Sequence, residues 1–105
     1  MDERETIPMS KLEKIVARLQ AVQPDLQARY HLDFLGVFGS YVRGEAEQGS
    51  DVDILVSFCE TPTLFEFVRL QNELSDVLQI QVDLVMKSGL KPAIGKRILA
   101  EVVAI

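Results

Sequence analysis

The sequence predicts an α/β (α+β) domain, a small mixed β-sheet flanked by helices. Two observations carry this. Three apolar runs, at 32–38, 51–58 and 80–86, have strand length and are bounded by glycine, proline or polar residues. Around them lie stretches whose apolar residues recur three and four apart, and two of these open on a capping-box pair. Helices alternating with strands in this way indicate a layered sheet-and-helix architecture.

Residues 1–8 read as a loose lead-in. Ser10 and Glu13 have the spacing at which each side chain caps a backbone amide of the other, so a helix starts there. Leu12, Ile15, Val16, Leu19 and Val22 form its apolar stripe, and Pro24 is expected to interrupt it and open a second short helical piece through Tyr30. His31 reads as a solvated or capping residue at the exit. Leu32 to Phe38 is the first strand, ending in Gly39 and Ser40; the next run, YVRGEAEQG, has room for no more than about two turns of helix. Asp51 to Phe58 is the second strand. Thr63 and Glu66 cap a helix whose expected apolar face is Leu64, Phe67, Val68, Leu74 and Leu78. Ile80 to Met86 is the third strand, and Pro92 opens a last helix expected to carry Ile94, Ile98, Leu99, Val102 and Val103.

With 105 residues the chain is expected to be one domain, 1–105, holding a single core. A net charge of −5 argues against a nucleic-acid backbone as a direct ligand, since phosphate binding wants a basic face. The single cysteine, Cys59, excludes an intramolecular disulfide, and with only one histidine a zinc cluster is not expected. No apolar run approaches the ~18 residues of a membrane span. MDERET is no signal peptide, so a cytoplasmic protein without a membrane partner is expected. A hydrophobic content of 48% leaves apolar surface to spare and favours a protein partner.

Chemistry concentrates between Gly36 and Phe58. Gly39 lets the backbone approach a ligand closely, and Ser40 opens a helix whose first amides and dipole attract phosphate. Ten residues on stand Asp51 and Asp53, which alternation along a strand puts on one face. Asp83, in the third strand, joins them if the two strands are neighbours. Three carboxylates together repel, and a divalent cation relieves that; oxygen-only ligands point to magnesium or manganese. Each piece also has a plainer reading. Arg43 pairs with Glu45 or Glu47 as readily as with a ligand, Asp83 with Lys91 or Arg97, and an Asp-x-Asp is often solvated. Their joint occurrence at workable spacing favours phosphoryl or nucleotidyl transfer.

The stretch GSYVRGEAEQGSDVDILV resembles the G-S-x-x-R-G-x(5)-S-D-x-D-x-x-V signature of the DNA polymerase β-like nucleotidyltransferases, matched by Gly39, Ser40, Arg43, Gly44, Ser50, Asp51, Asp53 and Val56. TPTLFEFVRLQNELSDVLQIQVDLV and LKPAIGKRILAEVVAI are similar to the helix, third strand and terminal helix of its minimal nucleotidyltransferase (MNT) subgroup. The resemblance implies the polymerase β-like fold. It implies ATP as substrate with two magnesium ions, Gly39 and Ser40 holding the triphosphate, Arg43 and Ser50 beside it, and Asp51, Asp53 and Asp83 as catalytic metal ligands. It further implies an antitoxin that moves AMP onto a tyrosine of a HEPN-family toxin. Two other readings stay open: an antitoxin acting by contact alone, and transfer to a small molecule, which would call for a second domain to shape the acceptor pocket.

Overall fold

The computed structural model describes residues 10–105, and the lead-in expected at 1–8 lies outside them. Helix α1 runs Lys11–Tyr30. Its capping box closes as expected: the Glu13 amide donates to Ser10 Oγ (3.0 Å), and the Ser10 amide to Glu13 Oε1 (2.8 Å). The helix does not break at Pro24, which lies inside it. Proline removes one intrahelical hydrogen bond, the one that would end on Gln20. Both residues are exposed, so water can serve the orphaned carbonyl, while Leu19, Leu26 and Tyr30 stay buried on the opposite face. Tertiary packing therefore carries the helix through a local breaker. His31 caps the end in the left-handed region, φ 56°.

Four strands form one mixed sheet: β1 Leu32–Phe38, β2 Val52–Phe58, β3 Val82–Met86 and β4 Val103–Ala104, in the order β3-β2-β1-β4. β1 is antiparallel to β2 and β4, and β2 is parallel to β3. Three further helices connect them: α2 Ser40–Arg43, α3 Leu64–Leu78 and α4 Pro92–Glu101. Helices α1 and α3 cover one face of the sheet. There Ile15, Leu19 and Leu26 meet Leu70, Leu74 and Leu78 over Val37, Val52, Ile54 and Val82.

The buried line of α3 is Leu70, Leu74 and Leu78, with Phe67 packed partly against it. Leu64 and Val68, expected on that face, are 79% and 43% exposed. At about 100° of turn per residue they lie round the helix from the 67-70-74-78 line. The capping box of Thr63 and Glu66 forms as expected.

The last helix also ends sooner than its apolar spacing predicts. Val102 is extended (φ −62°, ψ 137°), and the chain then pairs with β1: Val103 opposite Val37, Ala104 opposite Gly36, and the Ile105 amide donating to the Leu35 carbonyl at 2.9 Å. Two adjacent β-branched residues favour extended backbone, and the open edge of β1 supplies the partners. Gly36 makes room, because a Cβ there would lie 2.7 Å from Val102 Cγ2. Cys59 is exposed, its amide closing the turn onto the His31 carbonyl at 2.8 Å. No helix among the described residues is long and apolar enough to cross a membrane.

Candidate active site

The sheet face away from α1 and α3 carries the chemistry. β1 ends at Gly39, whose backbone (φ 84°, ψ −152°) lies in a region that only glycine enters without strain. Its hydrogen also matters. A Cβ at this position would overlap the Asp53 carboxylate, 2.9 Å from Cγ. So β1 pairs with β2 at Phe38 and Asp53, and the glycine turn then presses its backbone against the Asp53 side chain. Ser40 follows as the first residue of α2, its carbonyl accepting from the Glu45 amide at 2.9 Å.

Parallel pairing puts Asp53 directly beside Asp83. Asp51 stands two residues ahead of Asp53, just before β2 begins. Asp51 and Asp83 are exposed and Asp53 is half-buried, so the open side of the sheet spares Asp83 the burial cost that its valine and leucine neighbours foreshadow. Desolvation raises the Asp53 pKa above the ordinary carboxylate value, and the fields of Asp83 and Asp51 raise it further, against the pull of Arg43. Each of the two other carboxylates is thus near enough to burden Asp53. As they stand, no three His, Cys, Asp or Glu side chains among the described residues are gathered into a ready ion cage.

Arg43 ends α2 and lines the same cleft as Asp53. It pairs with Glu45 (Nε to Oε1, 3.0 Å), one of its two expected surface partners, and with Glu101 (Nη1 to Oε2, 3.1 Å). Glu101 reaches further: its Oε2 accepts from the Gly39 amide at 2.7 Å. Desolvation pushes the Glu101 carboxyl up, but the Gly39 amide and Arg43 together outweigh it and leave the group below the usual carboxylate range.

Gly39, Arg43 and Asp53, with Phe38, line one side of a cleft of about 310 Å³, and Ile94, Arg97, Ile98 and Glu101 of α4 line the other; Asp51 and Asp83 are not part of its lining. A larger hollow of about 680 Å³ on α3, lined by Leu64, Phe65, Val68, Arg69 and Asn72, holds no carboxylate, so the smaller cleft is the candidate site. Ser50 lies outside it. Its Oγ accepts from the Glu47 amide (2.8 Å), its own amide donates to the Glu47 carbonyl (2.9 Å), and its carbonyl accepts from the Tyr41 hydroxyl (3.2 Å). Ser50 therefore closes the loop that delivers Asp51. The wall from α4 is what the motif does not announce. Its signal was the polar pair Arg97 and Glu101 at helical spacing alongside Ile94 and Ile98.

A backbone amide and a guanidinium in one cleft with Asp53, which stands beside Asp83, can hold an anionic ligand next to groups that bind a cation or take a proton. That combination defines the class, a phosphate-handling transfer domain. The chain belongs to the nucleotidyltransferase domain family, which matches residues 9–105. It is 52% identical to the protein adenylyltransferase MntA of Thermococcus cleftensis over 95 residues, covering 90% of this chain and 96% of that protein. A solved minimal nucleotidyltransferase superposes with a TM-score of 0.77 at 38% identity, covering 94% of this chain and 99% of that one. A structure of a tri-AMPylated Shewanella oneidensis HEPN toxin in complex with an MNT antitoxin shares the fold: TM-score 0.58, 23% identity, 91% of this chain and 71% of that one.

Proposed function

We propose that this protein is an antitoxin that transfers AMP from ATP to a tyrosine hydroxyl of a HEPN-family toxin. The observation that carries the reading is the register of β2 and β3, which sets Asp53 beside Asp83 with Asp51 two residues ahead, while Asp53 lines one cleft with Gly39 and Arg43. The similarity to a protein adenylyltransferase supports AMP as the group moved, and the fold shared with an MNT antitoxin bound to an AMPylated toxin supports the partner.

In this reading the Gly39 amide and Ser40 hold the triphosphate, and Arg43 offsets its charge. Asp51, Asp53 and Asp83 are the metal ligands. Three carboxylates without His or Cys suit a hard cation, magnesium or manganese. Asp51 and Asp83 are exposed, and exposed side chains turn within nanoseconds, so they are free to reorient toward an ion. When bound, two magnesium ions supply charge compensation for polyphosphate and carboxylates alike. The acceptor oxygen bonds to the α-phosphorus as the bond to pyrophosphate breaks, and Asp83 takes the hydroxyl proton. Ser50 serves the nucleotide indirectly, by closing the turn before Asp51. The exposed thiol of Cys59 suits a reducing cytoplasm.

The test is transfer itself. Incubated with α-labelled ATP, magnesium and the co-expressed partner, the wild-type protein should label the partner, and the Asp51→Asn/Asp53→Asn variant should not. Equal labelling by both, or none by either, ends the catalytic reading. Undiminished protection of cells by the double variant would favour neutralisation by contact.

A further inference from the structure

Glu101 stands on donors that the proposed triphosphate needs. Its Oε2 takes the Gly39 amide at 2.7 Å, a length typical of charge-assisted hydrogen bonds, and both its oxygens lie 3.1 Å from Arg43 Nη1. A backbone amide has one proton to give. A phosphate oxygen and the Glu101 carboxylate therefore cannot both use it, and two anions at one donor repel.

We infer that Glu101 is an affinity-setting residue of this site: its carboxylate competes with the polyphosphate for the Gly39 amide and Arg43 Nη1, and leaves both when nucleotide binds. The inference rests on the nucleotidyl-transfer reading of the cleft. The fold provides the exit. The Glu101 side chain is 24% exposed, so it has a way into solvent. Arg97 lies four residues earlier on the same helix and lines the same cleft, at the spacing where a released carboxylate finds a cation. The backbone behind Glu101 is tied down, because Val103 and Ala104 pair with β1 immediately after it. Displacement is thus a side-chain swing on an anchored helix end. One movement frees the Gly39 amide and Arg43 Nη1 together.

The test is binding of a non-hydrolysable ATP analogue with magnesium, followed by calorimetry, for wild type, Glu101→Gln, Glu101→Ala and Glu45→Gln. Glu45 also pairs with Arg43 but leaves the Gly39 amide alone, so Glu45→Gln measures the bare effect of removing one negative charge. Losing a charged competitor should tighten binding about fivefold to tenfold for both Glu101 variants. Glu45→Gln should change it by less than about twofold, as expected for an exposed ion pair. Tripolyphosphate without magnesium, used as a second probe, should show the same order. If the Glu101 variants bind as wild type does, or more weakly, Glu101 is a support for Arg43 and the competition is refuted. Equal gains from Glu45→Gln and Glu101→Gln would reduce the effect to net charge and refute it too. If no variant, wild type included, binds either probe, the nucleotide reading itself falls and takes the inference with it.

Discussion

Replacing Gly39 with alanine tests the geometry on which the site depends. Two costs follow from the structure. The backbone at φ 84°, ψ −152° is open to glycine alone, and forcing another residue there costs about 1–3 kcal/mol. The added methyl also overlaps the Asp53 carboxylate, which must turn away or push the turn off β2, at about 1–3 kcal/mol for an overpacked contact. Together these make roughly 2–6 kcal/mol, a large share of the ~5–15 kcal/mol that holds a domain together. With ~2 cal/mol/K of unfolding entropy per residue, thermal melting should fall by roughly 10–30 °C. Gly44 is the internal control. It too has a positive φ, 73°, but a Cβ there meets nothing within 4 Å, so Gly44→Ala should cost only the left-handed backbone term of about 1–2 kcal/mol. Adding Asp53→Ala to Gly39→Ala should recover part of the loss, whereas for unrelated sites the two effects simply add. The assay is melting by circular dichroism on Gly39→Ala, Gly44→Ala, Asp53→Ala and the Gly39→Ala/Asp53→Ala double variant. A Gly39→Ala protein that melts within about 3 °C of wild type, or no lower than Gly44→Ala, would refute the reasoning.

Other consequences are independent of that one. Because desolvation and the neighbouring carboxylates raise the Asp53 pKa in the fold, its ionisation costs stability at neutral pH and costs none below the unfolded value near 3.9. In chelator, Asp53→Asn should therefore melt above wild type at pH 7, and the gain should vanish at pH 3; equal melting at pH 7 would remove the like-charge strain. Pro24→Ala restores an amide inside α1, and the interior penalty of ~3 kcal/mol, offset in part by a looser unfolded chain, predicts a gain of about 1–2 kcal/mol in urea unfolding. Leu64→Ser/Phe65→Ser changes exposed residues and should leave stability within about 0.5 kcal/mol, while Leu74→Ala in the closed core should lose about 2–5 kcal/mol.

Features set by a few adjacent residues were legible in the sequence. Both capping boxes form at the predicted residues, and β1 has the predicted bounds. Strand alternation placed Asp51 and Asp53 together, but whether Asp83 joined them depended on which strands are neighbours, and pairing across the sheet leaves no local trace. What failed locally was overruled at long range. Pro24 is a breaker whose effect packing on α3 and the sheet absorbs. Val102 and Val103 continue an apolar helical pattern, and only the free edge of β1 draws them into a strand too short to recognise alone. The contact of Glu101 with Gly39 was invisible for the same reason: the helical spacing of Arg97 and Glu101 marks a polar helix face, but Glu101 is 62 positions from the amide that donates to it, and no motif spans them.

The central claim is that one site, with Asp83 as its third carboxylate, moves AMP onto a partner protein. The most direct measurement is the intact mass of the co-expressed partner after incubation with ATP and magnesium, comparing wild type with Asp83→Asn. The account predicts that the partner gains whole AMP increments with wild type and stays unmodified with Asp83→Asn, although that variant still binds it. A partner that is modified equally by both, or by neither, would contradict it.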